Sequence, residues 1–518
     1  MPSSDPKPCL RYDRYKWRRD DTHPGRYKRQ TYGGEIFADA HNSGRQGEMT
    51  LFIGVYATLS ARLTSQELHR VLRRAWISLR WDVPTIAAQT MHDENAWISY
   101  DVAETRHEVE KWAEHTVLLR EDVANLDELR YEVGQGIMPP DDLVPQTYLY
   151  LAPSSPTTFG VLMHTSHIPF DGSSLKILIS RLFEHLAKYI SDSHYEEIQN
   201  AKMRWGHEHS NLLPATVDIL RKGEPAQVDE DGRTIVNAIA EEPLDGPAYT
   251  ETLAKIMRDL ARYAPKKHTF KTFIEPPYDP LTMEPKTRRA THTFTLEESN
   301  KIILTARAEN LTVNHLLHAA MCLLPILDNP PDEKSEAFVF ILGVVDCRHR
   351  LERVYQGADS YPGYCIGSSP IAIPVSIATS LPSSTGMSDK VLAIARVVRK
   401  QYKEQTSLPA LLGVCSKFIE TLLSFPKTPP FRGPVFVGDG RGNKYLRESY
   451  PETDHVKVIE ITDFFIGMNK SQPGPAFRAT EWKGRIMLSA DYNEVAVERS
   501  VVERWVKMWA EFVLSVTE

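Results

Sequence analysis

The residues best suited to chemistry are His167, Asp171 and Gly172, in the run Met163-His164-Thr165-Ser166-His167-Ile168-Pro169-Phe170-Asp171-Gly172-Ser173-Ser174. A neutral imidazole titrates near working pH and can accept a hydroxyl proton in a transition state, an effect of about 10²–10⁴-fold. The spacing is short, and a structural His–Asp pair is the plain alternative. Context favours chemistry. Phe159, Val161, Met163, Thr165 and His167 share one face of a strand by the two-residue period. The chain then breaks at Pro169 and turns at Asp171-Gly172. Ser173 or Ser174 can cap a helix whose apolar stripe is Leu175, Leu178, Ile179, Leu182, Phe183, Leu186 and Ile190. His167 therefore leaves a strand where the backbone changes direction, a position at which catalytic side chains are often carried.

A second set of polar residues lies far downstream. Phe338 to Val345 reads as a buried strand running into Val345-Asp346-Cys347-Arg348-His349-Arg350, and Tyr361-Pro362-Gly363-Tyr364-Cys365-Ile366-Gly367 follows as a glycine turn. For Arg348 and Arg350 the plain reading is a strand end with solvated charges. His167 to Gly172 resembles the HxxxDG motif of the BAHD acyltransferases and their relatives, the condensation domains and chloramphenicol acetyltransferase. Val345 to Arg350 resembles the VDxRxR segment of BAHD proteins. Asp463-Phe464-Phe465-Ile466-Gly467 stands where those enzymes carry DFGWG, with matches only at Asp463, Phe464 and Gly467.

The resemblance implies an α/β fold of two similar chloramphenicol-acetyltransferase-like sandwich domains with a tunnel and active site between them. It makes His167 the general base. Asp171 becomes an architectural residue turned toward Arg348, with Gly172 and Asp463 as further structural support. The implied reaction is acyl-CoA-dependent O-acylation without a metal or a permanently bound cofactor. Among fungal members the likeness is greatest to the trichothecene 15-O-acetyltransferases, which implies acetyl-CoA as co-substrate and a hydroxylated trichothecene-type sesquiterpenoid as the small hydrophobic acceptor. Lys286, Arg288 and Arg289 form the basic cluster expected to meet the CoA phosphates, against the alternative of a solvated basic run. Two other readings stay open. One is a stand-alone condensation domain with a carrier-protein donor, which usually shows two adjacent histidines where Ser166 precedes His167 here. The other is a non-catalytic scaffold.

At 518 residues the chain exceeds one ordinary core, so two halves are expected, at 1–199 and 290–518, joined by a crossover at 200–289. A formal charge of −7 argues against a general nucleic-acid binder. Five scattered cysteines without CxxC spacing suggest neither a disulfide framework nor zinc. With no signal-like apolar leader and no long uncharged apolar run, the expectation is a cytoplasmic monomer.

The supporting elements follow from patterning. Met49 to Ser60 reads as a strand, Thr64-Ser65-Gln66-Glu67 as a capping box opening a helix, and Val83 to Ala88 as strand-like. Thr147 to Leu151 and Phe159 to His167 add strands, and one helix is expected around Thr252 to Tyr263 in the crossover. Ala290 to Thr295 and a second box, Thr295-Leu296-Glu297-Glu298, repeat the early pattern, and a further helix begins at Thr312. Strands at Val456 to Phe465 and Gly484 to Tyr492 precede a terminal helix from about Val495 to Val516. Three other signals read as structure: Gly438-Asp439-Gly440-Arg441-Gly442 as a turn, His207-Glu208-His209 as a solvated segment, and Gly357-Ala358-Asp359-Ser360 as no carrier attachment site because Tyr361-Pro362 disfavours a following helix.

Overall fold

The structure, a computed structural model, describes residues 12–518 apart from 124, 224–226, 229–233, 237–240, 281, 333, 358–359, 383, 425–429 and 452–456, with only the backbone of 227–228 and 234–236. Cys9 and the polar leader, the acidic run Asp229 to Gly232, Ala358-Asp359 and Val456 lie outside the described residues.

The first half supplies β1 (Leu51–Leu59), α1 (Ser65–Asp82), β2 (Val117–Leu119), α2 (Leu126–Val133), β3 (Thr147–Ser155), β4 (Thr158–Thr165) and α3 (Gly172–Ser191). The second supplies β5 (Thr287–Thr293), α4 (Leu296–Ala308), α5 (Val313–Asp328), β6 (Phe338–Asp346), β7 (Ile366–Pro374), β8 (Val435–Arg441), β9 (Ser449–Tyr450), β10 (Ile459–Met468), β11 (Ala476–Trp482), β12 (Arg485–Asn493) and α6 (Arg499–Leu514). Both expected capping boxes form: Thr64 and Thr295 each accept from the backbone N–H three residues on, and Glu67 and Glu298 reach back to the cap. Val83 to Ala88 is not a strand. Pro84 opens a 3₁₀ turn over Pro84–Ala87, because its fixed φ suits the first position of a tight helix, and the strand starts afterwards at Gln89–His92.

The main sheet of the first half runs β9-β10-β1-β4-β3-β2. Its two strands β9 and β10 come from late in the chain, so the layers are not contiguous in sequence. β10 lies antiparallel to β1 from Ile459↔Leu59 to Met468↔Leu51. Gly54 makes this pairing possible: a Cβ there would come within 2.3 Å of the Phe465 ring opposite. The second half contains β5-β12-β11-β8 and a smaller sheet of Lys267–His268, β6 and β7. Residue 290, the expected start of that half, falls inside β5. A four-stranded sheet of Arg18–Arg19, Arg26–Gln30, Ala96–Asp101 and Gln89–His92 flanks the first half.

One core fills the space between the main sheet, α1 and α3, and continues to the junction of the halves, where Phe340, Cys347, Ala372 and Ala476 join it. Leu72, Trp76 and Leu79 of α1 pack with Leu175, Leu178, Leu182 and Phe183 of α3, all essentially buried. Each such side chain contributes roughly 1.5–3 kcal/mol relative to exposure. A second core lies beneath β11 and β12 and is closed by α5 and α6, with Trp505 and Trp509 buried at its centre. Among the described residues no single helix is long and apolar enough to cross a membrane.

Three histidines are buried as neutral rings. Burial pushes His41 down to about 4, and His164 and His318 to about 3. His318 stacks on Phe436 at 4.4 Å, with neither ring nitrogen bonded among the described residues. These groups take up protons more readily when unfolded, so their stabilising effect is complete above pH about 6.5 and is lost as pH falls toward their folded values, by roughly 1.4 kcal/mol per pH unit and group. Denaturant unfolding measured from pH 7.5 to 4.5 should show stability falling in this window, and His318→Phe should flatten the fall. A profile that is level down to pH 4.5 would refute the assignment.

Candidate active site

β4 ends at Thr165, Ser166 N–H bonds to the Gln146 carbonyl at 3.0 Å, and the chain then turns through His167 to Asp171. The turn is pinned on both sides. Ile168 packs into a small cluster with Ala38, Ala88 and Ile98, while Phe170 enters the main core. The Pro169 carbonyl accepts from Tyr364 N–H at 3.0 Å. With Ile168 and Phe170 anchored in different clusters, the turn that follows His167 is held in place.

His167 Nδ1 lies 2.7 Å from the Phe170 carbonyl oxygen. A carbonyl can only accept, so Nδ1 carries the proton and Nε2 presents a lone pair. The ring is 8% exposed and lies 5.4 Å from the ring of Tyr364. Burial lowers its pKa from the ordinary value, opposed by the Phe170 carbonyl and Asp171 and reinforced by the positive charge of Arg478. The imidazole is therefore neutral at working pH and competent as a base.

Asp171 is turned away from that ring. It caps α3, accepting from Ser174 N–H at 2.7 Å, and it accepts Cys365 N–H at 2.8 Å. Arg348 Nη2 bonds both its oxygens at 3.0 and 3.1 Å. Arg348 also donates to the carbonyls of Tyr361 at 2.7 Å and Gly363 at 2.7 Å, and to Asp346 at 3.1 Å. Burial alone would lower the Arg348 pKa, but Asp171 and Asp346 outweigh it and raise it. The turn after β6, the glycine turn at 361–367 and the N-terminus of α3 thus meet at one buried ion pair. Arg350 does comparable work nearby, pairing with Glu242 at 2.9 and 3.1 Å and donating to the carbonyls of Thr406 and Leu408. Neither arginine is a solvated strand end.

The structure brings His167, Asp171, Gly172 and Arg348 together. It does not bring Asp463. That residue is exposed on β10 beside Tyr56, five residues from Met468, the residue of β10 nearest the His167 end of the sheet, hence about 17 Å along the strand. Its carboxylate bonds the neighbouring Phe464 N–H at 2.8 Å. Arg288 is taken up by Glu494 at 3.0 Å and Glu128 at 3.2 Å, and Arg289 by Asp127 at 3.0 Å, so both fasten β5 to α2. Lys286 is exposed, with no ion pair among the described residues.

The remaining motifs are structural. Glu208 is buried and accepts from Tyr100, Ala103 N–H and Gly206 N–H, and His209 stacks on Tyr27 at 4.6 Å. Ser360 is buried, unsuited to carrier attachment. Gly438 to Arg441 is not a turn but the end of β8, irregular between Gly438 and Gly440, and Asp439 there holds Arg478 through both oxygens, at 2.8 and 2.9 Å. Arg478 and Tyr364 are the neighbours of the site that patterning missed. A lone cation in the apolar run Pro475-Ala476-Phe477-Arg478-Ala479 was the available signal.

A family model described as 15-O-acetyltransferase Tri3 matches residues 7–240. Over nearly its full length the chain is similar to trichothecene 15-O-acetyltransferase TRI3 of Fusarium sporotrichioides, 24% identical over 547 residues with 99% of each chain covered. It is likewise similar to trichothecene O-acetyltransferase TRI3 of Trichoderma arundinaceum, 23% identical with 98% of each covered. The solved F. sporotrichioides TRI3 structure superposes with a TM-score of 0.79 at 19% identity, covering 99% of this chain and 100% of that one. The EpoB cyclization-docking bidomain of Sorangium cellulosum gives 0.58 at 11% identity, covering 95% of this chain and 85% of that one. The fold is thus the two-domain, chloramphenicol acetyltransferase-like architecture that condensation-type domains also adopt.

The buried pair sets a measurable expectation. Arg348→Met leaves the Asp171 charge uncompensated and should cost about 3–5 kcal/mol of stability. A double-mutant cycle with Asp171→Asn should show coupling of about 0.5–3 kcal/mol. Zero coupling in chemical denaturation would mean that Asp171 is held by Ser174 and Cys365 alone.

Proposed function

Starting from the premise that this chain is an acyltransferase of chloramphenicol acetyltransferase-like architecture, we propose that it transfers acetyl from acetyl-CoA to a hydroxyl, the 15-OH, of a trichothecene-type sesquiterpenoid. The observation that carries the chemistry is His167, with Nδ1 tied to the Phe170 carbonyl and Nε2 left as the acceptor. The full-length likeness to trichothecene O-acetyltransferases supports the substrate class.

Nε2 takes the proton of the acceptor hydroxyl as its oxygen bonds to the thioester carbonyl carbon. The tetrahedral oxyanion collapses, the C–S bond breaks, and the imidazolium returns its proton to the departing thiolate. Asp171 plays no direct part in these transfers, since its oxygens are occupied by Ser174, Cys365 and Arg348. It acts by fixing the loop that presents the base. Of the basic trio, Lys286 is the member left for a donor phosphate. Ser166 stands where condensation domains usually carry an additional histidine, which weighs for the CoA donor over a carrier protein.

Incubation with acetyl-CoA and a 15-hydroxytrichothecene should release CoA thiol and yield the acetylated product by mass spectrometry. His167→Ala should lower turnover by at least about 10²-fold, while the lost bond to the Phe170 carbonyl should cost only about 1–3 kcal/mol of stability and leave the protein folded. Because the folded pKa of His167 is depressed, the acidic limb of the wild-type kcat/KM profile should fall below pH about 6.5. Turnover only with a carrier-bound acyl group would replace this reading with the condensation-domain one.

A further inference from the structure

The acyl-transfer reading leaves the developing oxyanion without a partner, and the second half offers one. On β11, Phe477 and Ala479 enter the second core while Ala476 joins the first. Arg478 therefore faces the first half by the two-residue period. Arg478 as a whole is 5% exposed. Nη1 is held by Asp439, but Nε is buried with no acceptor and Nη2 bonds nothing among the described residues. A buried cation with unused donors is costly unless something completes it.

What it faces is the first turn of α3. A Cβ on Gly172 would meet Asp439 Oδ1 at 3.6 Å and Arg478 Nη1 at 4.0 Å, with nothing closer. The protein's own packing does not require a glycine there, and Gly172 has an ordinary negative φ. The missing side chain leaves methyl-sized room between the helix start and the guanidinium, next to the loop that carries His167. Lys176, one turn further along α3 and itself buried, donates to the Asp439 carbonyl at 3.1 Å and so fixes the segment that aims Arg478.

We propose that Arg478 is a catalytic residue that binds the thioester carbonyl oxygen of the donor in the space beside Gly172 and stabilises the oxyanion as the acceptor oxygen adds. When His167 Nε2 takes the hydroxyl proton, the new C–O bond forms and the carbonyl π pair moves onto oxygen beside the guanidinium. On collapse that pair re-forms the carbonyl, the C–S pair leaves on sulfur, and Nε2–H protonates the thiolate. Arg478 exchanges no proton. Placed where charge develops in a water-poor site, such a donor is worth about 10²–10³-fold in rate. The inference rests on the acetyl-transfer reading above.

The test combines kinetics with histidine NMR. Arg478→Gln should lower kcat by about 10²–10³-fold with the acceptor KM unchanged, and Arg478→Lys should lie between it and wild type. In protein labelled with ¹³C-histidine, the His167 resonance, assigned through His167→Asn, should titrate at higher pH in Arg478→Gln than in wild type, because a neighbouring positive charge is gone. Wild-type kcat in Arg478→Gln, or an unmoved His167 titration, would overturn the proposal. If Arg478→Gln does not fold, the decision passes to Arg478→Lys, in which full wild-type kcat would overturn it. Absence of thiol release by the wild-type protein would instead defeat the acetyl-transfer reading, while the NMR shift would still report whether Arg478 faces His167.

Discussion

The buried pair of Asp171 and Arg348 is the constraint on which the site depends. Two desolvated charges contribute little net stability unless every remaining donor and acceptor is satisfied. Here Asp171 gathers Ser174, Cys365 and Arg348, while Arg348 also reaches two backbone carbonyls and Asp346. The pair joins residues 177 positions apart in the chain. Its formation therefore reports that both halves have folded and docked, and only then is the loop carrying His167 in place.

A carbonyl rather than a carboxylate orients the imidazole, and this has an electrostatic effect. A carboxylate on Nδ1 would stabilise the imidazolium and raise the pKa. The Phe170 carbonyl supplies the orientation with less of that effect, so burial dominates and the ring rests neutral. Elsewhere the junction is stitched by pairs of differing completeness. Glu48 receives Lys470, Ser471 and Gln472 where the chain passes from β10 to β11. Arg130 on α2 and Asp491 on β12 lie 3.0 Å apart, yet Arg130 Nε and Asp491 Oδ1 have no hydrogen-bond partner among the described residues. Burial lowers the Arg130 pKa, although nearby Asp491 opposes this.

Local chemistry was legible in the sequence wherever one segment carried the whole signal. The boxes at Thr64 and Thr295, the stripe of α3 and the strand entering His167 needed only neighbours three or four residues away. The partnership of Asp171 with Arg348 was reached through resemblance, not periodicity. What could not be read was register between distant strands. Asp463 matches a family position by letter, but its place on β10 is set by pairing with Tyr56, and this puts it at the wrong end of the strand. Arg288 and Arg289 looked like a free basic run because their acids, Asp127, Glu128 and Glu494, are remote in sequence. Arg478 escaped notice because one cation in a short apolar strand gives no period of its own.

The exchange of β10 bears on traffic through the molecule. Its hydrogen bonds to β1 run the length of the strand, and Phe465 seats over Gly54, so the late segment is woven into the early sheet and does not merely rest on it. Swinging the halves apart like a clamshell would tear that ladder. Under the acetyl-transfer reading, entry of a bulky donor and departure of a product would then rely on smaller adjustments, in side chains such as Tyr364 and at the start of α3 and in β8 around Asp439. On that reading the groups around His167 would remain assembled while ligands exchange, because the β1–β10 ladder holds the two halves together.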